Sequence, residues 1–467
     1  MPHTANLNFV AAYLIHMTNL PEPFQQTIRN LLGERSTEFF HSLRENSPIS
    51  VRVHPLKNHP WRNLEQVPWS EAGRYMKERP AFTLDPLFHA GTYYVQEASS
   101  MFLEQAFQAS VDLDEPLRVL DLCAAPGGKS THILAMLNRR GLLISNEAIR
   151  SRASILAENI QKWGYANCVV TNNDPSDFQR LSGFFDVVVV DAPCSGEGLF
   201  RKDPGAIAEW SSQNVQLCAS RQRRILSDAW DALREGGVLI YSTCTYNTLE
   251  NEDNLCWLRD QRDVAFVQIP LDPAWGVEEV RAGDVVGYRF FPHRVRGEGF
   301  FLSVVRKLES APSVRSRAAK KLSFPTGKTA QVLANWITPE SSPEFIMFND
   351  LVFFLPAGAT EDATVVIQNM HVIYAGTNVA TVKHEKLIPA HALAMSVDMR
   401  ADQFPSIDLD ASTAIRYLRR ETLPSADIPR GFALVRFEGT PIGWVNALPN
   451  RVNNLYPAEW RIRIAGR

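Results

Sequence analysis

Residues 117–137 read LRVLDLCAAPGGKSTHILAML and contain signals for a strand, a turn and a helix in succession. The apolar run LRVLDL is short enough for a buried parallel strand, and Pro126, Gly127 and Gly128 predict a turn directly after it. The following KSTHILAML places apolar residues at helical spacing. Free backbone N–H groups and the positive end of a helix dipole at such a turn favour an anionic or carboxylate-bearing ligand.

The next two strands along the chain are followed by acidic residues. GLLISNE ends in Glu147, twenty residues after Gly127, where a Rossmann-type unit places an acid on the ribose hydroxyls. Asp174 follows the strand NCVVT and is positioned to contact an adenine amino group. Either acid alone is typical of an ordinary loop, but their position at successive strand ends predicts a nucleotide-like cofactor. CAAPGGK is not a G-x-G-x-x-G fingerprint, which disfavours a nicotinamide cofactor.

Strands alternate with helices across residues 111–309, which predicts an α/β fold with a Rossmann-like, doubly wound sheet. The last strand of this region, FFLSVVRK, is expected to be an antiparallel addition at the sheet edge. Residues 1–110 begin with helical periodicity, including FVAAYLIHMTNL at residues 9–20, and predict a separate N-terminal α+β region. Residues 326–467 contain short β-like runs broken by Gly and Pro, which predict a small β-rich C-terminal domain.

The charge of the chain is unevenly distributed. The 467 residues carry a formal net charge of −3, which gives no overall indication of nucleic-acid binding. Residues 281–330, however, contain eleven Lys or Arg against three acids. Within this stretch, residues 310–325 are predicted to be a basic linker. Contact with phosphates and simple solvation of the linker are equally compatible with its sequence.

Composition limits the class of protein. The chain has no run of eighteen apolar residues and no N-terminal basic segment followed by an apolar one, so we expect a cytoplasmic protein without membrane contact. Its six cysteines include no C-x-x-C pair, which disfavours both a zinc site and a disulfide framework. We therefore expect reduced thiols and no bound metal.

Two of the six cysteines stand out by their position. Cys194 in DAPCSG and Cys244 in STCTYN each follow a strongly apolar strand, at the end where a parallel sheet binds its ligands. Sheet geometry is therefore expected to bring both thiols to one pocket. Cys123 lies in the CAAPGGK loop and is interpreted as structural. Cys168, Cys218 and Cys256 fit the usual role of a cysteine as a small apolar side chain.

Paired thiols beside a nucleotide-like cofactor suit methylation of a pyrimidine. Cytosine C5 is a poor nucleophile, but a thiolate that adds to C6 makes the ring enamine-like and increases the electron density at C5. An acid near N3 stabilises the adduct, and Asp191, three residues before Cys194, is the candidate. After methyl transfer the C5 proton must leave and the thiol must be eliminated, which gives a second cysteine a role.

CAAPGGK, DAPCSGEG and STCTYN, in this order, resemble the motifs of the NOL1/NOP2/Sun family of RNA cytosine-C5 methyltransferases. The resemblance implies that Cys244 attacks the base, that Cys194 promotes product release and that Asp191 contacts N3. It also implies the cofactor S-adenosylmethionine. The residues that the resemblance implies for cofactor binding are Cys123, Ala124, Ala125, Pro126, Gly127, Gly128, Lys129, Glu147, Asp174 and Asp191.

The flanking segments resemble one bacterial subgroup of this family. FRKDPGAIAEW (residues 200–210), HALAMS and GWVNALPNRVNNLYPAEWR are similar to the subgroup that methylates small-subunit ribosomal RNA and has a PUA-like C-terminal domain. The resemblance implies 16S ribosomal RNA, within the small subunit, as the partner, with RNA-binding regions at residues 1–110 and 326–467 and no obligate protein partner. Arg201 and Lys202 are equally compatible with phosphate contact and with solvated charges.

Two other functions remain open from the sequence. One is a methyltransferase for transfer RNA or DNA, which the catalytic motifs do not exclude. The other is a non-catalytic RNA-binding or ribosome-assembly factor, which predicts the loss of a thiol or of a cofactor acid. The sequence retains both thiols and all three acids.

Overall fold

The computed structural model describes residues 20–61, 63–311, 323–384, 386–423 and 428–463. The helical run predicted at residues 9–20 and the basic linker predicted at residues 310–325 lie mostly outside these ranges. No helix in the described part of the chain is long and apolar enough to cross a membrane.

Strands make up four sheets in the described residues. In chain order they are β1 (Ile49–Val53), β2 (Gly73–Met76), β3 (Tyr93–Val95), β4 (Arg118–Asp121), β5 (Leu142–Asn146), β6 (Cys168–Thr171), β7 (Phe185–Asp191), β8 (Leu233–Thr243), β9 (Val264–Phe266), β10 (Glu278–Ala282), β11 (Val285–Phe290), β12 (Phe300–Lys307), β13 (Pro343–Phe348), β14 (Leu351–Pro356), β15 (Val372–Ala375), β16 (Thr377–Lys383), β17 (Lys386–Pro389), β18 (Ser406–Leu409), β19 (Gly431–Phe437), β20 (Thr440–Leu448) and β21 (Arg451–Asn454).

Helices connect and cover these strands. In chain order they are α1 (Glu22–Leu32), α2 (Ser36–Ser42), α3 (Pro86–His89), α4 (Leu103–Ser110), α5 (Gly128–Leu137), α6 (Arg150–Trp163), α7 (Pro204–Glu209), α8 (Ser212–Ala232), α9 (Glu252–Gln261), α10 (Gly327–Trp336), α11 (Ala357–Asn369), α12 (His391–Met395) and α13 (Ala411–Leu418).

The central sheet has the order β10-β11-β12-β8-β7-β4-β5-β6-β15, with β9 paired to β12. Strands β4 to β8 are parallel, and the order β6-β5-β4-β7-β8 places β4 in the middle. A parallel sheet whose strand order reverses on either side of its first strand is doubly wound and binds ligands at the carboxyl ends of its strands. The predicted Rossmann-like fold is therefore confirmed.

Both faces of the central sheet are covered by apolar helices. Val119, Val187 and Val189 point into a core that includes residues of α4, α5 and α6. Their neighbours Leu120, Val188 and Val190 point into the opposite core, which includes residues of α8. Because successive strand residues face opposite sides, a strand buried on both faces is a continuous apolar run, as in FFDVVVVDAP.

FFLSVVRK forms β12 and, as predicted, runs antiparallel to its neighbour β8. The prediction that it lies at the sheet edge is wrong, because β11 pairs with its other side and β10 lies beyond β11. The segments that form β10 and β11 are short and contain Gly and charged residues, so their sequence pattern gives little indication of a strand.

The N-terminal region packs directly against the central one. Strands β2, β1 and β3 form an antiparallel sheet in that order. Phe24 of α1 and Phe39 of α2 belong to one buried apolar cluster with Phe200 and Tyr246. The N-terminal helices are thus fixed to the segments that carry the DAPCSGEG and STCTYN motifs.

The C-terminal residues form two four-stranded sheets, β13-β14-β16-β17 and β18-β19-β20-β21. Between β14 and β16 in the chain, β15 leaves the first of these sheets and pairs antiparallel with β6 at the end of the central sheet. Ala363 and Val366 of α11 are buried in the same core as the central sheet. The β-rich character was predicted, whereas the strand that joins the central sheet was not.

Candidate active site

CAAPGGK forms the predicted turn between β4 and α5. The Ala124 N–H donates to the Asn146 carbonyl at 2.8 Å, which ties the loop to the end of β5. Gly127 has a φ of 112°, a left-handed conformation that side-chain-bearing residues rarely adopt. Helix α5 begins at Gly128, so the loop leads directly to a helix N-terminus.

A cavity of about 510 Å³ lies at this loop, within the usual range of small-molecule sites. It is bounded on one side by the N-terminal region, because Tyr94 and Gln96 line it together with the loop. The predicted site residues that line it are Cys123, Ala124, Ala125, Pro126, Gly128, Lys129, Asp191 and Cys244.

Asp121 lines the same cavity and was not among the predicted residues. Burial raises the pKa of Asp121 to about 7, although the Ser130 hydroxyl, which donates at 2.6 Å, acts in the opposite direction. Its other carboxyl oxygen, Oδ1, is buried without a hydrogen-bond partner in the described part of the chain. In the sequence, the available signal was an acid within the apolar run LRVLDL. In the structure, a buried oxygen without a partner at a cavity wall indicates a ligand-binding group.

Asp191 ends β7 and forms an ion pair with Lys129 across 2.8 Å. The Ser242 hydroxyl donates a second bond to Asp191 at 2.8 Å. Ser242 lies directly opposite Asp191 in the parallel β7–β8 pair, so the sheet register sets this contact. The Lys129 ammonium therefore holds a carboxylate at the cavity wall instead of extending into solvent.

Cys194 and Cys244 lie side by side, as the sequence predicts. Their sulfur atoms are 2.9 Å apart, and both are free thiols. The Cys244 N–H also points to the Cys194 sulfur at 3.3 Å. The hydrogen bond with Cys244, together with burial, holds the pKa of the Cys194 thiol well above its ordinary value. Of the two, only Cys244 is among the described residues that line the cavity.

A buried hydrogen-bond network fixes the loop that carries Cys244. The Glu197 carboxylate accepts from the Thr245 hydroxyl at 2.6 Å and from the N–H groups of Tyr246 and Asn247 at 2.9 and 3.1 Å. Glu250 accepts from the Ser195 N–H at 3.0 Å and from Asn247 at 2.8 Å. Both carboxylates are buried, and they link the loop that carries Cys194 to the loop that carries Cys244.

Sequence reasoning missed this network. Glu197 stands in DAPCSGEG and Glu250 follows STCTYN by a few residues, but a single acid in a loop carries no sign of its partners. The polar contacts of these carboxylates cross up to 55 residues of chain. Only the fold brings such distant groups together.

Glu147 and Asp174 follow β5 and β6 at the same edge of the sheet, as predicted. Neither is among the described residues that line the cavity. Buried Glu147 accepts from the Ile149 N–H at 2.9 Å and pairs with Arg152 at 3.4 Å. Asp174 caps a short 3-10 helix and pairs with Arg224 at 3.4 Å. Their roles at a cofactor stay a prediction.

Three protein-family descriptions match successive parts of the chain. "16S rRNA methyltransferase RsmB/F" matches residues 109–306, "N-terminal domain of 16S rRNA methyltransferase RsmF" matches residues 20–98, and "Methyltransferase RsmF PUA domain" matches residues 404–462. The three matches span the N-terminal sheet, the central sheet and the sheet β18-β19-β20-β21.

Relatives of similar length cover nearly the whole chain. Ribosomal RNA small subunit methyltransferase F of Shewanella loihica is 31% identical over 435 residues, which is 88% of each protein. The protein of the same name from Salmonella agona is 30% identical over 475 residues, 95% of this chain and 97% of the relative.

Two solved structures from Pyrococcus horikoshii share the fold. A methyltransferase homolog protein aligns with a TM-score of 0.54 at 25% identity, over 64% of this chain and 99% of the other. NSun6 with SFG aligns with a TM-score of 0.53 at 21% identity, over 62% of this chain and 99% of the other.

Proposed function

Because this chain belongs to the 16S rRNA methyltransferase RsmB/F family, we propose that it methylates C5 of a cytosine in small-subunit ribosomal RNA. The family uses S-adenosylmethionine, and the C-terminal sheet belongs to a PUA domain. The cytosine-C5 chemistry and the roles of the site residues are parts of this proposal.

The cavity at the CAAPGGK loop fits the cofactor. S-adenosylmethionine has a sulfonium and an ammonium group, and Asp121 presents a buried carboxyl oxygen that has no hydrogen-bond partner among the described residues. A Cβ added at Gly128 would lie 3.5 Å from the Tyr94 ring, so the loop leaves little spare room beside that wall. We propose that Asp121, Lys129 and the loop backbone hold the cofactor, with Glu147 and Asp174 at its nucleoside end. When bound, the cofactor supplies an electrophilic methyl group.

The position of Cys244 supports the proposal most directly. This residue lines the cavity beside Asp191, whereas Cys194 lies against the Cys244 sulfur and outside the lining. A thiol that faces the cavity is able to meet a base turned out of its stack. An enzyme that used the PC cysteine as its nucleophile would need the opposite arrangement.

We propose that the Cys244 thiolate adds to cytosine C6 and forms a carbon–sulfur bond. The electron pair of the C5–C6 double bond moves into the C4–C5 bond, and N3 takes up a proton from water. The Asp191 carboxylate accepts a hydrogen bond from the resulting N3–H. C5 is then nucleophilic and accepts the methyl group. Loss of the C5 proton, cleavage of the Cys244–C6 bond and return of the N3 proton to water restore the aromatic ring and release the thiolate.

We propose that Cys194 acts both before the attack on C6 and during the elimination of Cys244. Before attack its thiol is protonated, since its pKa is raised, and it stabilises a neighbouring Cys244 thiolate by donating S–H to it. Once the Cys244 sulfur is bonded to carbon, it carries no negative charge that opposes ionisation of Cys194. Cys194 is then able to release its proton to water, and the resulting thiolate takes up the C5 proton during elimination.

The substrate is tested by incubating the protein and labelled S-adenosylmethionine separately with naked 16S ribosomal RNA, assembled small subunits, transfer RNA and duplex DNA. Nucleoside digestion then identifies the product. Label in 5-methylcytidine from either ribosomal sample is the expected result. Label only in transfer RNA or DNA would contradict the substrate, and no label in any sample would contradict the activity.

A further inference from the structure

A second cavity, of about 980 Å³, adjoins the active site, and several Lys and Arg side chains line it. It lies between the N-terminal region and the segment that leads into β12. We define it as the basic groove by six of its lining residues, Arg44, Lys77, Arg79, Lys202, Arg294 and Arg296. The sequence left phosphate contact by Lys202 open and did not bring these six residues together in one site.

Four of these cations have no carboxylate partner in the part of the chain that the structure describes. Arg44 follows α2, Lys77 and Arg79 follow β2, and Lys202 follows the DAPCSGEG segment. All four side chains are exposed. Charges that the fold leaves unpaired in one concave surface produce a positive potential there.

The other two arginines are partly neutralised. Arg294 pairs with Glu278 at 3.1 Å, and Arg296 pairs with Glu65 at 2.5 Å. Glu45 alone carries a carboxylate among the described lining residues. Burial lowers the pKa of His293, so this lining residue is neutral near pH 7. The groove is therefore positively charged.

Lys202 connects the groove to the active site, because it lines both cavities. The neighbouring Arg201 is different, since its guanidinium is buried and paired with Glu298 at 3.0 Å. A further bond from Arg201 to the Gly297 carbonyl, at 2.6 Å, uses the donors that a ligand would need. Of the two residues, Lys202 is thus the one available to a phosphate.

The lining also indicates how a ligand would be recognised. It contains no Phe, Tyr or Trp among the described residues, and His293 is its one aromatic ring there, so Lys and Arg side chains outnumber the rings on which bases could stack. Arginine and lysine side chains contact phosphate oxygens independently of sequence. This chemistry suits an RNA backbone that approaches the active site as a single strand, since a target base must leave its stack before it reacts.

We propose that the basic groove binds the phosphate backbone of the single-stranded RNA that flanks the target cytosine. The inference rests on the proposed RNA substrate. In this proposal the groove positions the RNA strand, and methylation takes place in the adjoining cavity.

The test measures binding of a fluorescein-labelled single-stranded RNA of about twelve nucleotides by anisotropy over a range of salt concentrations. The double variant Lys77→Gln/Arg79→Gln is expected to bind about two- to fivefold more weakly per cation removed. The slope of log affinity against log salt should fall by about 0.7 for each phosphate that the variant no longer neutralises. Lys202 is left unchanged because it also lines the active site.

Two variants serve as controls. Arg234→Gln removes an exposed cation near the amino end of β8 that lines neither cavity and should leave binding unchanged. Glu45→Gln removes the lining carboxylate and should tighten binding, because the opposing charge is removed. Thermal unfolding and S-adenosylmethionine affinity establish that each variant is folded.

The outcomes separate the two proposals. If the wild-type protein methylates RNA and the double variant binds like Arg234→Gln, the groove is not the RNA path and the inference is overturned. If the wild-type protein neither binds nor methylates RNA, the proposed function itself fails. An increase in the RNA concentration at half-maximal rate, with an unchanged maximal rate, would support the groove as a positioning site.

Discussion

The sulfur atoms of Cys194 and Cys244 lie 2.9 Å apart although fifty residues separate them in the chain. The register of the parallel β7–β8 pair produces this approach, because Asp191 lies opposite Ser242 and each cysteine follows within three residues. The two thiols therefore meet at the carboxyl edge of the sheet and share one hydrogen bond.

Substitution of each cysteine should separate their roles. Cys244→Ala is expected to abolish methylation with fold and cofactor affinity retained, because it removes the thiol at the cavity. Cys194→Ala should accumulate a covalent RNA–protein adduct, because elimination stalls. Denaturing gel electrophoresis with labelled RNA detects the adduct, and Cys256→Ala, on α9 and outside the described cavity lining, is the control. An adduct with Cys244→Ala but not with Cys194→Ala would reverse the assignment.

Gly198→Ala should displace the loop that carries Cys244. The Gly198 N–H donates to the Cys244 carbonyl at 2.9 Å, and an added Cβ would lie 2.3 Å from the Gly299 carbonyl oxygen and 2.9 Å from that of Cys244. The maximal rate is expected to fall at least about tenfold, since displacements of this order misplace a nucleophile.

The matched control for this change is Gly358→Ala in α11. A Cβ at Gly358 would meet nothing within 4 Å, so it should leave the rate unchanged and stabilise the helix. Rates under saturating RNA and cofactor, with thermal unfolding in parallel, compare the two variants. An active Gly198→Ala protein would show that the loop tolerates the shift.

Glu197→Gln should destabilise the active-site loops. The carboxylate accepts from one hydroxyl and two backbone N–H groups, whereas an amide presents an NH₂ group to donors and leaves them unpaired. We expect a decrease of about 1–3 kcal/mol in the free energy of unfolding. Urea denaturation measures it, with Glu209→Gln, an exposed acid of α7, as the control. Equal stability of both variants would contradict a structural role for the network.

Asp121 predicts a pH dependence of cofactor affinity. Its pKa is about 7 in the free protein, mainly because of burial, and a bound cation favours the ionised form and lowers that pKa. The affinity for S-adenosylmethionine should therefore rise as pH increases through about 7 and then level off. Calorimetric titration from pH 6 to 8 checks this rise. Asp121→Asn should remove it, and a variant with the wild-type profile would exclude Asp121 as the cause.

The same residue predicts the sign of a stability effect. Because the pKa of Asp121 is raised in the folded protein, the unfolded chain loses this proton at lower pH than the folded one. Ionisation thus lowers the free energy of unfolding as pH rises from about 4 to about 7, by at most about 1.4 kcal/mol per pH unit. Asp121→Asn removes this titration. In urea denaturation, the free energy of unfolding of the variant should therefore increase relative to that of the wild type over that pH window.

Local sequence patterns predicted the parts of the site that the sheet itself positions. An apolar strand followed by glycines defines the CAAPGGK turn, and the end of a parallel strand places Cys194, Cys244 and Asp191 at one edge. These features depend on a few neighbouring residues and on a general rule of α/β sheets. For that reason, the sequence predicts that Cys194, Cys244 and Asp191 lie close together.

Other features depend on contacts that sequence does not encode locally. Arg201 and Lys202 are adjacent cations with equivalent sequence signals, yet one is buried against Glu298 and the other is exposed. Glu298 lies 97 residues from Arg201 in the chain, so the distinction arises only on folding. The prediction that FFLSVVRK lies at the sheet edge was wrong for a similar reason, because the sequences of β10 and β11 give little indication of a strand.

The pairing of β15 with β6 limits how the enzyme can be divided. A recombinant fragment that ended near residue 309 would keep the catalytic motifs but uncover the backbone N–H and C=O groups of β6 and the apolar surface beneath Val366. An unprotected edge strand of this kind invites self-association. We therefore expect such a fragment to oligomerise in analytical ultracentrifugation, and the full chain to stay monodisperse. The strand that the C-terminal residues contribute thus protects the edge of the central sheet against association with other chains.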